Sequence, residues 1–163
     1  MAISLFAFAA CSSTGETDDA AGGSQSASAG SSASSSAGAS SGRLSEEEIR
    51  AQNALRQTVF YFDFDIAEFK NEDRDTLTFH ARDLAANPGK RVRLEGHADE
   101  RGTREYNLAL GERRANGILN YLIVNGASRS QIEVVSYGEE RSAQSGQTES
   151  AYSRNRRVEI VAR

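Results

Sequence analysis

The chain has one cysteine, Cys11, in 163 residues, so it can form no disulfide within itself and no cysteine cage for a metal. Histidine is nearly as scarce. His97 and Asp99 fall on one side of an extended segment, but two ligands do not close a coordination shell, and His80 stands in no ligand spacing. There is no excess of positive charge: 19 Lys and Arg oppose 23 Asp and Glu for a formal charge of −4. That balance gives no basis for a sequence-independent grip on nucleic acid. Lysine is almost absent, with only Lys70 and Lys90, so the positive charge is nearly all guanidinium, the form suited to bidentate contact with carboxylates. Finally, no apolar run approaches the roughly 20 residues that a membrane-spanning helix needs.

What apolar character the N-terminus has lies in MAISLFAFAA, immediately before Cys11. This matches the later part of a secretory signal with small residues ahead of a cleavage point, and FAAC resembles a bacterial lipobox, in which the signal is cut before a cysteine that is then acylated. The alternative is an apolar N-terminus with an incidental cysteine. From Ser12 to Gly42 the sequence collapses to Ser, Ala and Gly with a few polar residues. Such a segment cannot bury enough apolar area to offset its ordering entropy, and as a coil it would span roughly 30 Å. The expected organisation is a signal segment at 1–10, a lipid-anchored flexible tether at 11–43 and one folded domain at 44–163. The hydrophobic content of 38% suffices for one modest core.

Within the folded part, LSEEEI carries a capping box, Ser45 with Glu48, and a hydrophobic staple, Leu44 with Ile49, predicting a short helix over 45–57. VFYFDFD (59–65) alternates, placing Phe60, Phe62 and Phe64 on one side of a strand. Leu77, Ala81, Leu84 and Ala85 recur at helical spacing until Asn87-Pro88-Gly89 stops the helix. RVRLEG (91–96) alternates again. Leu108, Gly111, Ala115, Ile118 and Leu122 then mark a long helix ending at Asn125-Gly126, on which Arg114 reads as solvent-facing. Strands follow at 132–137 and 157–161, with a polar loop or irregular helix between them over 138–155. The fold class is α+β: a βαβαββ sandwich with two main helices on one face of a mixed four-stranded sheet.

The densest chemistry lies in GHADERGTREYNLALGERRAN (96–116), where acidic and basic side chains interleave with glycines. Paired carboxylates among Asp63, Asp65, Asp99 and Glu100 could serve glycoside hydrolysis, but that needs a raised pKa, and neighbouring arginines act in the opposite sense. The charges could also complement a zwitterion, with an Asp for an ammonium, an Arg for a carboxylate and backbone N–H groups at the start of the following helix. Or Asp99, Arg101, Arg104 and Arg114 could simply pair with one another at the edge of the sheet.

VFYFDFD, LEGHADERGTREYNLALGERRA and NRRVEI together resemble the OmpA-like peptidoglycan-binding domain family over about 59–161. The family pattern of Asn, Leu, a small residue and Arg-Ala falls on Asn107, Leu110, Gly111, Arg114 and Ala115, with glycine where serine is commoner. The resemblance implies that Asp99 receives the ammonium and Arg114 the carboxylate of diaminopimelate in the peptidoglycan stem peptide. It implies that Asp65, Phe64 and Arg101 line the pocket, with Thr103 and Leu110 contributing wall and backbone donors. It implies binding without catalysis, no metal and no organic cofactor. The ADERGT form points to the family's lipoprotein branch, whose partners are peptidoglycan, TolB and, through lipid on Cys11, the outer membrane. The rivals are a wall hydrolase and an OmpA-like module with another partner.

Overall fold

A computed structural model describes Leu44 to Arg163; the signal and tether expected over 1–43, with Cys11, lie outside the described residues. Helix α1 (Glu46–Arg56) begins at the expected capping box. The Ser45 hydroxyl accepts from the Glu48 N–H, and the Glu48 carboxylate accepts from the Ser45 N–H at 2.7 Å. It buries no residue, and Leu44 and Ile49 stay about half exposed. Strand β1 (Val59–Tyr61), a 3-10 turn (Asn71–Asp73), helix α2 (Arg74–Ala86) and strand β2 (Val92–His97) follow. Then come helix α3 (Arg104–Val124), strand β3 (Ile132–Gly138), helix α4 (Glu149–Asn155) and strand β4 (Arg157–Ala162).

The four strands form one mixed sheet in the order β1-β4-β2-β3. β4 runs antiparallel to both its neighbours, whereas β2 and β3 are parallel. A parallel pair needs a crossover, and α3 supplies it. One sheet face carries Phe60, Val92, Leu94, Ile132, Val158 and Ile160 into a single core with Leu77, Ala81 and Leu84 of α2 and Ala115, Ile118, Leu119 and Leu122 of α3. The opposite face carries charge: Arg93 bonds Glu133 at 3.0 Å and Arg157 bonds Glu159 at 2.6 Å.

Three expectations need correction. The alternation of VFYFDFD predicts Phe64 inside, but β1 ends at Tyr61, the chain turns between Asp63 and Ile66, and Phe64 emerges 55% exposed. Asp65 adopts the left-handed region there, with φ 58°. On α2, Ala85, expected on the buried face, is exposed, and His80 takes a buried place. On α3 Leu108 points outward, while Asn107, Leu110 and Arg114 are buried beside the apolar stripe. The polar segment over 138–155 contains a true helix, α4, whose cap is Thr148 accepting from the Ala151 N–H.

One contact sets the position of everything functional. A Cβ on Gly96 would lie 2.0 Å from the Gly111 carbonyl oxygen, and a Cβ on Gly111 would lie 2.5 Å from the Ser136 hydroxyl. The backbone of α3 therefore rests directly on β2, which glycine alone permits. This explains glycine at position 111.

Candidate functional site

Because α3 sits so close to the sheet, its N-terminal half lies against the loop that leaves β2. That loop turns through Gly102, at φ 108°, into Thr103, whose hydroxyl accepts from the Tyr106 N–H at 3.2 Å and caps α3. Ala98 and Asp99 are buried at the end of β2. From the other side come the turn after β1 and Arg156, the residue just before β4.

Asp99 is saturated. Its Oδ1 accepts from the Arg101 N–H at 3.1 Å and from Arg101 Nε at 3.2 Å, and its Oδ2 accepts from Arg101 Nη2 at 2.6 Å and Arg156 Nη1 at 3.1 Å. Burial works against its charge, but the hydrogen bonds from Arg101 and Arg156 outweigh it and hold the carboxyl below the ordinary carboxylate value. Asp99 is thus ionised at neutral pH and has no proton to give as a general acid. The Arg101 guanidinium lies against two aromatic rings, 4.0 Å from the Phe64 ring centroid and 4.4 Å from that of Tyr152.

Arg114 behaves in the opposite way, and the expectation that it faces solvent is wrong. It is fully buried, because Nε, Nη1 and Nη2 donate to the carbonyls of Ile66 (2.9 Å), His97 (2.9 Å) and Asp63 (3.0 Å). These bonds tie the turn after β1 to the end of β2. No carboxylate among the described residues pairs with it. Burial pushes its pKa down to about 10, which leaves it cationic at neutral pH. It is a buried charge balanced by carbonyl dipoles, with unspent N–H donors on both terminal nitrogens.

The two groups share a cavity of about 200 Å³. Of the residues singled out from sequence, Asp99, Arg114, Asp65, Arg101, Phe64 and Leu110 all line it. Thr103 does not; it acts through the cap. Asp65 accepts a hydrogen bond from the Tyr106 hydroxyl across the mouth. The pairing of Asp99 with Arg101 is present, whereas Arg104 pairs with Glu140 and takes no part. Among the described residues no group of three or more His, Cys, Asp or Glu side chains is placed to hold a metal.

His97, the last residue of β2, is 1% exposed, with neither ring nitrogen hydrogen-bonded. Burial, reinforced by the Arg157 charge, pushes its pKa down to about 4. Its ring faces Tyr137 at 5.5 Å.

The model of the OmpA family matches residues 61–156. The chain belongs to the OmpA family. It is 53% identical over 120 residues to the peptidoglycan-associated lipoprotein of Pseudomonas putida, covering 73% of this chain and 69% of that one. It is 45% identical over 161 residues to the peptidoglycan-associated lipoprotein of Pseudomonas aeruginosa, covering 98% and 92%. Among solved structures, the peptidoglycan-associated lipoprotein of Burkholderia pseudomallei aligns with TM-score 0.67 and 36% identity, over 68% of this chain and 93% of that one.

Four further residues line the cavity of this OmpA-family domain without a signal in the sequence that marks them for it: Gly102, Tyr106, Asn107 and Arg156. Tyr106 and Asn107 lie within the quoted stretch, and their apposition to the cavity follows from the helix starting at Arg104. Arg156 stands in NRRVEI, far from Asp99 in sequence, and only the β4–β2 pairing brings it there.

Proposed function

We propose that this domain is a noncovalent peptidoglycan anchor that grips diaminopimelate in the stem peptide. The carrying observation is a buried guanidinium, Arg114, unpaired with any described carboxylate and sharing one small cavity with the ionised Asp99. The free end of diaminopimelate bears a carboxylate and an ammonium on one carbon. Its carboxylate seats on the unspent donors of Arg114, at the floor. Its ammonium meets Asp99, taking over from Arg101, with Asp65 at the mouth. Arg101 is the side chain that yields, because it alone among the Asp99 partners is partly exposed. The names of the relatives support peptidoglycan as the ligand.

The same reading makes the chain a lipoprotein of the outer membrane with its domain in the periplasm. Segment 1–10 is the signal, Cys11 carries diacylglycerol and an N-acyl chain, and 11–43 is the tether. More than one buried acyl chain gives a stable anchor where a single chain would be marginal. TolB is the protein partner, and the role is that of the Tol-Pal system in envelope integrity and division. The low carboxyl pKa of Asp99 supports holding rather than cutting.

Incubation with purified sacculi tests this. Retention without soluble fragments is expected. Fragments in the supernatant would mean a hydrolase, and free passage would mean an OmpA-family module for another partner. Intact mass of membrane-extracted protein checks cleavage before Cys11 and its acylation together.

A further inference from the structure

Arg156 lines two cavities. The second, about 420 Å³, lies on its other side against Tyr61, Asp63, Lys70 and Arg154. Arg156 itself is spent on Phe62, Asp99 and Glu149, with Nε–O 3.1 Å, Nη1–Oδ2 3.1 Å and Nη2–Oε1 2.7 Å. The other two cations of this second cavity are not. Lys70 has only Glu72, at 3.8 Å, beyond hydrogen-bond reach. Arg154, in the last turn of α4, has no hydrogen bond or ion pair among the described residues. By contrast, Arg101 and Arg156, which line the first cavity, each hold a carboxylate. Against these two stands the single carboxylate of Asp63. The half-exposed ring of Tyr61 supplies an apolar flank. The surroundings therefore suit one more anion on a short carbon chain, in a cavity that shares Arg156 with the first.

We infer that the second cavity is a subsite for another carboxylate of the same stem peptide whose diaminopimelate end fills the first, an inference that rests on the proposed function. Lys70 and Arg154 are its ligands, and Arg156 is the partition between the two. Two carboxylates of such a peptide flank diaminopimelate. One is the α-carboxylate left free by the γ-linked glutamate before it, and the other is the terminal carboxylate of the alanine after it.

The test is calorimetric titration of the full chain with the tetrapeptide L-Ala-γ-D-Glu-diaminopimelate-D-Ala, with its glutamate α-amide, and with its C-terminal amide. The Lys70→Gln/Arg154→Gln variant changes only surface side chains and should melt at the wild-type temperature. It should bind the tetrapeptide about tenfold more weakly, the scale of one charge-assisted contact. One of the two amides should cost the wild type the same factor and cost the variant nothing, which identifies the carboxylate. Wild-type affinity in the variant overturns the subsite while leaving the first cavity intact, as does a loss that neither amide reproduces. If even the wild type fails to bind the tetrapeptide, the proposed function fails and the subsite falls with it.

Discussion

The two halves of α3 lie on the same sheet yet are built on different physics. From Ala115 to Leu122 the buried side chains are Ala115, Ile118, Leu119 and Leu122, which gain stability from area removed from water and ask nothing of direction. From Arg104 to Arg114 the buried set is Asn107, Leu110, Gly111 and Arg114. Apart from Leu110, these are held by specific partners: Asn107 by Glu139, Gly111 against the backbone of β2, Arg114 by three carbonyls. A buried cation without a counter-charge is a poor way to stabilise a helix. Kept on a cavity floor, it is a good way to attract a carboxylate. One half of the helix makes the fold, and the other half depends on that fold to hold charge in place.

The hinge between the two halves is Gly96 against Gly111. Gly96→Ala should cost about 3 kcal/mol or more, because the new Cβ meets backbone that has nowhere to move. A urea midpoint well below wild type, with ligand binding lost, is expected; an unchanged midpoint would mean that the halves are not locked by this contact.

Substitutions on either side of the hinge should then separate the two roles. Leu122→Ala should cost about 3 kcal/mol of stability through its cavity, with unchanged affinity in the molecules that remain folded. Arg114→Lys keeps charge but cannot reach three carbonyls, so it should cost about 2 kcal/mol and weaken diaminopimelate binding as well. Arg114→Ala is the harsher form and no longer a clean test of binding, since the side chain also ties Asp63 and Ile66 to His97. An Arg114→Lys variant that loses stability alone would mean that the guanidinium serves the fold and not the ligand.

At the end of β2, His97 adds a pH dependence. Its folded pKa of about 4 lies below the ordinary value of 6.5. Between those values the unfolded chain takes up a proton that the folded chain does not, so stability is full above the upper value and falls as pH drops toward the lower. The loss is about 3 kcal/mol. Burial lowers His80 in the same direction. Urea unfolding at pH 7, 5.5 and 4.5 should show the slope, reduced though not abolished in His97→Phe. A flat profile would place the imidazole in water.

The smallest effect on stability belongs to Asp65→Asn. Asp65 is exposed and bonded only to Tyr106, so its stability change should stay within about 0.5 kcal/mol. Its binding should still fall several-fold if Asp65 helps receive the ammonium.

Much of the core was legible because burial there follows period. Val92 with Leu94 and Val158 with Ile160 alternate as half-buried strands must, and Ile118 and Leu122 recur as a helix face must. Phe64 continues the alternation on paper, but the left-handed turn at Asp65 has no glycine or proline to announce it. Arg114 was legible as a candidate site residue through family resemblance, yet hydropathy places any arginine outside, and only its carbonyl partners explain how it stays in. Arg156 was invisible because strand order, not spacing, brings it to Asp99.

Arg114 is a buried cation with no carboxylate partner among the described residues, and its proposed role is to receive one from the ligand. Its most direct test is the affinity of the domain for a stem peptide with diaminopimelate at the third position against the same peptide with lysine, which has the ammonium but not the side-chain carboxylate. A preference for diaminopimelate of about tenfold to a hundredfold is expected from one charge-assisted bidentate contact. Equal affinity for the two peptides would contradict it.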